Sequence, residues 1–108
     1  QHQHVRYRLF HMFRKVEMAR GLLHRVITYN ATAPQAALQG SAAAKVSVTQ
    51  LAFEVANEAL QMFGGNGMTH EYPMEKLVRD ARALLIADGC NEMLALKGGS
   101  LLVNPDLL

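Results

Sequence analysis

The sequence predicts an all-α protein, an antiparallel up-and-down helical bundle, and three observations carry that expectation. Apolar residues recur in alternating steps of four and three from Val5 to Val26, the spacing that gathers one stripe along a helix of 3.6 residues per turn. The three prolines, at 34, 73 and 105, all fall outside the stretches that carry such stripes. No stretch shows the sustained two-residue alternation of a half-buried strand, and no internal repeat is present.

Composition narrows the possibilities further. Half of the 108 residues are apolar and 19% are charged, the balance of a packed domain rather than a solvated, disordered chain. A chain of this length suffices for one domain but is short for enclosing a large cofactor and a substrate together. The formal charge of +2 and the pI of ≈ 8.9 are mildly basic, and the basic residues are interleaved with acids, so a nucleic-acid partner is not expected. Cys90 stands alone and cannot form an internal disulfide, and no stretch has the length of a membrane span or the layout of a signal peptide. A soluble, reducing compartment follows: the cytoplasm, or the mitochondrial matrix in a eukaryote. The chain opens at Gln1 and enters a helical pattern at once, so residues 1–108 are expected to form a single C-terminal domain cut from a larger subunit.

The first helix carries Val5, Leu9, Met12, Val16, Ala19, Leu23 and Val26 on its seam, with Arg8, Arg14, Lys15 and Arg25 off it. Polar residues and Pro34 end it within 30–34. A second helix is expected over 35–63, with Val48, Ala52, Val55, Ala59 and Met62 on one seam. Its many alanines favour the helix and admit a close neighbour, so it is expected to be central and buried. Gly64, Gly65 and Gly67 stop it, because glycine closes a helix end in a left-handed conformation without a steric penalty, and a loop follows. Pro73 suits the first turn of a third helix marked by Leu77, Val78, Ala81, Leu84 and Leu85, which Asp88-Gly89 breaks. A short fourth helix is expected over 91–97, with Gly98, Gly99 and Pro105 punctuating an apolar tail.

Residues 58–92 read EALQMFGGNGMTHEYPMEKLVRDARALLIADGCNE. This stretch resembles the C-terminal signature of acyl-CoA dehydrogenases: a Gln-x-x-Gly-Gly-x-Gly loop, Glu-Tyr-Pro, Arg-Asp, and then a catalytic Ile-Tyr-Glu-Gly-Thr turn. Ala42-Ala43-Ala44-Lys45 resembles the Ala-Lys stretch of the family's preceding helix, and residues 5–31 resemble the helix before that. A glycine triplet alone would be weak evidence, whereas four segments in order and at the right spacing are specific together. The resemblance implies an N-terminal helical domain and a middle β domain ahead of this one, assembly into dimers or tetramers, an acyl-CoA substrate and an electron-accepting flavoprotein partner. It also implies FAD, whose adenosine end reaches the C-terminal domain of a neighbouring subunit. Gln61, Met62, Phe63, Gly64 and Gly65 match the family's FAD-contact segment, and Asn91 and Glu92 match its next FAD contacts. Glycines without side chains let a ligand approach backbone amides, although the same residues also suit a helix cap and a tight turn.

The family's reaction removes a proton from the carbon beside a thioester carbonyl while the next carbon loses a hydride to flavin. In many members the base is the glutamate of Ile-Tyr-Glu-Gly-Thr. The matching turn here is Ile86-Ala87-Asp88-Gly89-Cys90, so Asp88 stands at the base position and Gly89 beside the thioester. Aspartate is one methylene shorter, and three explanations stay open: Asp88 is the base for a differently shaped substrate, the base lies on an upstream helix, or catalysis has been lost. Asp88 also suits the N-cap of the helix that follows it. The same fold hosts flavin oxidases and monooxygenases, among them nitroalkane oxidases with an aspartate base, and a non-catalytic assembly subunit is the remaining alternative. Arg79-Asp80 is expected to form surface ion pairs, His70 to face solvent and Tyr72 to pack its loop. His2 and His4 are not spaced to share a helix face, so no metal site is expected.

Overall fold

The computed structural model of the protein describes residues 2–68, 73–87 and 89–103, with the side chains of 2, 66 and 68 excluded. Four helices occupy these residues: α1 (His2–Thr32), α2 (Leu38–Phe63), α3 (Met74–Leu84) and α4 (Asn91–Val103). A single 3₁₀ turn, Gly64–Met68, closes the end of α2 where the sequence suggested only a loop. No strand is present among the described residues, so the all-helical expectation holds.

The α1–α2 connection is organised by Asn30. Its Nδ2 donates to Ser41 Oγ at 2.9 Å, and its Oδ1 accepts the Ala37 N–H at 3.0 Å. Ala37 is thereby fixed as the N-cap in an extended conformation (φ −90°, ψ 102°), with its carbonyl accepting the Ser41 N–H at 3.1 Å. Alanine has no side chain with which to cap a helix, so the partner comes from α1 instead. This moves the start of α2 three residues beyond the expected position at 35.

The second helix is central, as expected, but buried only in part. α1, α3 and α4 each pack against α2 and make no close backbone contact with one another among the described residues. Among the described residues only Ala44 (5% exposed), Ala81 and Leu101 (3%) are buried apolar side chains, and Thr49 is buried as well. The α1 seam is likewise half covered: Met12, Ala19 and Val26 are partly buried while Leu9 and Leu23 are exposed. The radius of gyration is 16.7 Å, against roughly 13 Å for a compact domain of about this length. Between α1 and α3, over the bare middle of α2, runs an apolar groove of ≈ 540 Å³ lined by Val16, Ala19, Leu23, Val55, Ala81 and Leu84.

Ion pairs also join α1 to α2. Arg8 Nε lies 3.2 Å from Glu58 Oε1, and Lys15 Nζ lies 2.9 Å from Glu54 Oε1. The Lys15 hydrogen bond, seconded by that of Gln50, holds the Glu54 carboxyl below its ordinary pKa of 4.5. A lowered carboxylate pKa adds stability above the unfolded-state value, and that stability fades as pH falls through the folded-state value. For a pair this exposed the effect stays below about 1 kcal/mol.

Two elements differ from the sequence expectation at their ends. Pro73 lies just outside α3 at its N-cap (φ −78°, ψ 5°), with its carbonyl accepting the Leu77 N–H at 3.0 Å. The fourth helix does not stop at Lys97 but runs through Gly98 and Gly99 to Val103. Each mid-helix glycine costs about 1 kcal/mol relative to alanine, whereas burying a leucine side chain gains roughly 2 kcal/mol, and Leu101 is buried against α2 only if the helix continues. A Cβ on Gly99 would meet nothing within 4 Å. Gly99→Ala is therefore expected to raise stability by about 0.5–1 kcal/mol in chemical unfolding. A decrease would mean that α4 does not run through this position.

Candidate functional site

The residues singled out by the sequence fall on two surfaces at different heights along α2. One is the turn that precedes α4, which docks beside Lys45 and Thr49; the other is the glycine segment at the end of α2. A helical rise of ~1.5 Å per residue sets Lys45 and Gln61 roughly 24 Å apart along the axis. The chain thus does not bring Gln61, Met62, Phe63, Gly64 and Gly65 together with Gly89, Asn91 and Glu92.

The glycine segment contains three glycines with three different roles. Gly64 takes a positive φ of 61° and donates its N–H to the Gln61 carbonyl, so its lack of a side chain is a backbone requirement of the helix end. Gly67 is buried, and a Cβ there would lie 2.7 Å from Leu60 Cδ1 and 3.0 Å from the Leu60 carbonyl oxygen, so packing requires it. Gly65 is exposed, has no positive φ, and would find nothing within 4 Å of an added Cβ. Among the described residues nothing requires glycine at 65. Gln61 and Phe63 are also exposed, while Met62 is partly buried, so Gln61 to Gly65 form an exposed shelf on which Gly64 and Gly65 leave the backbone uncovered by side chains.

The turn before α4 is built by backbone bonds at both ends. Ile86 and Ala87 donate to the Ala83 carbonyl at 3.1 and 2.9 Å, and the Asn91 N–H donates to the Leu85 carbonyl at 3.0 Å. Gly89 holds a φ of 97°, a conformation strained for any residue with a side chain. Lys45 reaches the turn from α2: its ammonium donates to the Gly89 carbonyl at 2.9 Å and to Asn91 Oδ1 at 2.7 Å. Asn91 Nδ2 in turn donates to Thr49 Oγ1 at 3.0 Å and to the Val46 carbonyl at 3.5 Å. Thr49 completes the network by donating to the Lys45 carbonyl at 2.6 Å. The Asn91 side chain, matched above to a cofactor contact, is thus engaged at both ends in holding α4 on α2. Glu92 is exposed in the first turn of α4, where a carboxylate complements the helix dipole.

Asp88 lies outside the described residues, as do His70, Glu71 and Tyr72. The bounds of α4 nonetheless bear on the capping reading of Asp88. The first residue of the helix is Asn91, and Cys90 accepts the Leu94 N–H at 3.0 Å, so Cys90 holds the N-cap position and Asp88 stands two residues before it. Lys45 and Thr49 are functional candidates that sequence reasoning passed over. The available signal was Lys45, the sole basic residue of α2, set beside alanines on a helix expected to pack. Arg79 and Asp80 do form surface pairs, each with its own helix neighbour: Arg79 Nε to Glu75 Oε1 at 2.7 Å and Lys76 Nζ to Asp80 Oδ2 at 2.9 Å. Among the described residues no cluster of histidine, cysteine and acidic side chains could hold a metal ion, and no helix is long and apolar enough to cross a membrane.

The glycine roles separate experimentally. Gly67→Ala is expected to cost about 1–3 kcal/mol through overpacking against Leu60, whereas Gly65→Ala should be neutral or slightly stabilising. Equal losses in thermal unfolding would contradict this division.

Comparison with known proteins places these features in a wider setting. Residues 1–99 match the family model described as acyl-CoA dehydrogenase, C-terminal domain. The chain is 33% identical over 101 residues to a short-chain specific acyl-CoA dehydrogenase of Megasphaera elsdenii, covering 93% of this chain and 26% of that protein. It is 37% identical over 98 residues to a probable acyl-CoA dehydrogenase of Mycobacterium leprae, covering 84% of this chain and 23% of that one. The chain therefore spans about a quarter of these relatives' length. A solved structure described as the electron transferring flavoprotein of Acidaminococcus fermentans superposes with a TM-score of 0.84 at 30% identity, covering 94% of this chain and 27% of that one.

Proposed function

The chain belongs to the acyl-CoA dehydrogenase family, as its C-terminal helical domain, and from that membership we propose that it completes the flavin and substrate sites of an FAD-dependent dehydrogenase acting on an acyl-CoA thioester. The whole protein would carry further domains upstream, assemble as a dimer or tetramer in the cytoplasm or mitochondrial matrix, and pass its electrons to a separate flavoprotein. The similarity to a structure described by the name of an electron transferring flavoprotein is in keeping with that partner.

FAD, when bound, supplies the acceptor for the hydride that leaves the β carbon. The chain's own part is to accept the α proton and to position the thioester. Asp88 is the candidate base, because it stands in the family's base position, while the residue directly before α4 is Cys90. A carboxylate engaged by helix N–H groups would be a weaker base. Gly89 would lie beside the thioester, where its lack of a side chain leaves room for the substrate. The observation that carries the reading is this turn: the family's signature position set in a segment whose flanks, Leu85 to Ala87 and Gly89 to Asn91, are tied to the bundle. A base must be held within reach of one carbon, since a misplacement of about 1 Å can cost on the order of a hundredfold in rate.

The distance between the turn and the glycine shelf supports a shared assembly. Asn91 and Glu92 start the helix at one flavin, while Gln61, Met62, Phe63, Gly64 and Gly65 meet the adenosine end of a flavin held by a neighbouring subunit. Both expectations are tested in the full-length flavoprotein. Gly65→Leu should lower retained FAD several-fold without unfolding the protein, because a Cβ there meets nothing within 4 Å among the described residues. Flavin occupancy equal to wild type would leave the shelf as a turn and nothing more.

Asp88→Asn should abolish flavin reduction by acyl-CoA while keeping FAD bound, since asparagine cannot take the α proton effectively. Asp88→Asn that reduces flavin at the wild-type rate would place the base elsewhere.

A further inference from the structure

Lys45 is the residue that connects the body of the domain to the reactive turn. We infer that Lys45 is a positioning residue of the reaction: by holding the Gly89 carbonyl and the Asn91 side chain, its ammonium fixes the turn at Gly89, beside which the thioester would lie. The inference rests on the proposed dehydrogenase reading, and deepens it by adding a residue on a different helix.

The geometry separates this role from ordinary attachment of α4 to α2. Attachment is already provided by Asn91, whose amide donates to Thr49 and Val46, and by the burial of Leu101 near the far end of α4. Lys45 does something those contacts do not, since its second bond goes past the helix to the carbonyl of Gly89 within the turn itself. The backbone ties at Ile86, Ala87 and Asn91 anchor the turn on either side of that carbonyl, and Gly89 takes a φ open chiefly to glycine. A single ammonium bonded to two acceptors 2.9 and 2.7 Å away therefore couples the turn to the start of α4 and both to α2. Charge-assisted bonds of this length are about twice as strong as neutral ones, and the one to Asn91 is partly buried. Ala44, the sequence neighbour of Lys45, is buried, which seats the lysine on a rigid part of the helix rather than at a frayed end.

The test uses the full-length flavoprotein and three proteins: wild type, Lys45→Met and Lys45→Arg. Methionine keeps much of the unbranched apolar stem and removes the donors; arginine keeps charge and several donors. Flavin reduction by acyl-CoA is followed by stopped flow over a range of thioester concentrations, and amide hydrogen exchange is read at residues 89–91. Lys45→Met is expected to bind thioester within about threefold of wild type but to show a limiting reduction rate some 10- to 100-fold lower. Exchange at 89–91 should accelerate while that of α1 stays unchanged, and Lys45→Arg should recover most of the rate. A folded, flavin-loaded Lys45→Met with the wild-type limiting rate overturns the inference, as does unchanged exchange at 89–91. If Lys45→Met fails to hold flavin, a Lys45→Arg protein that is folded yet no faster than a variant lacking Asp88 overturns it equally. A wild-type protein whose flavin is not reduced by any acyl-CoA refutes the dehydrogenase reading itself, and that outcome is recognisable before any variant is compared.

Discussion

The packing of α1, α3 and α4 onto a single helix is the constraint from which the remaining features follow. Because those three helices meet α2 and make no close backbone contact with one another in the described structure, their placement depends mainly on α2. Its small side chains allow this: Ala44, Ala52, Ala56 and Ala59 leave room for neighbours on more than one face, where larger residues would hold them off. The same choice limits how much apolar surface the chain can bury by itself, and among the described residues only Ala44, Ala81 and Leu101 are buried apolar side chains.

Serving several neighbours also lets α2 carry two chemically different surfaces. Its Lys45 to Thr49 stretch is polar at the points where the turn and the start of α4 arrive, and each buried donor there has a partner. A lysine amid packed helices is costly unless its ammonium is satisfied, and the Gly89 carbonyl and Asn91 amide oxygen satisfy it. At the other end the helix stops at Gly64, and the segment beyond it exposes Gly65 and folds Gly67 inward against Leu60. A helix of this length keeps the two surfaces apart by its own rigidity, so a site that needs both must draw them from more than one copy or span them with an extended ligand.

The sequence by itself determined the helical class, the approximate extent of α1, α2 and α3, and the family signature that marks Gln61 to Gly65 and the turn at 86–90. These are local properties: a stripe of 3.6-residue period, a glycine group at a helix end and a proline beside a helix start are written within a few turns of chain. Tertiary structure decided what local pattern could not. Gly98 and Gly99 read as a stop, yet α4 continues because Leu101 finds a buried place against α2. Ala37 has no capping side chain, and α2 begins after it because Asn30 of α1 takes its N–H. The start of α4 at Asn91 puts Cys90 directly before that helix, a boundary that periodicity left open between 88 and 91. Lys45 read only as part of an alanine-lysine stretch, because its partners Gly89 and Asn91 lie 44 and 46 residues away. Periodicity reports which face of a helix is apolar, whereas a hydrogen bond across that separation exists only after α2 and α4 have docked.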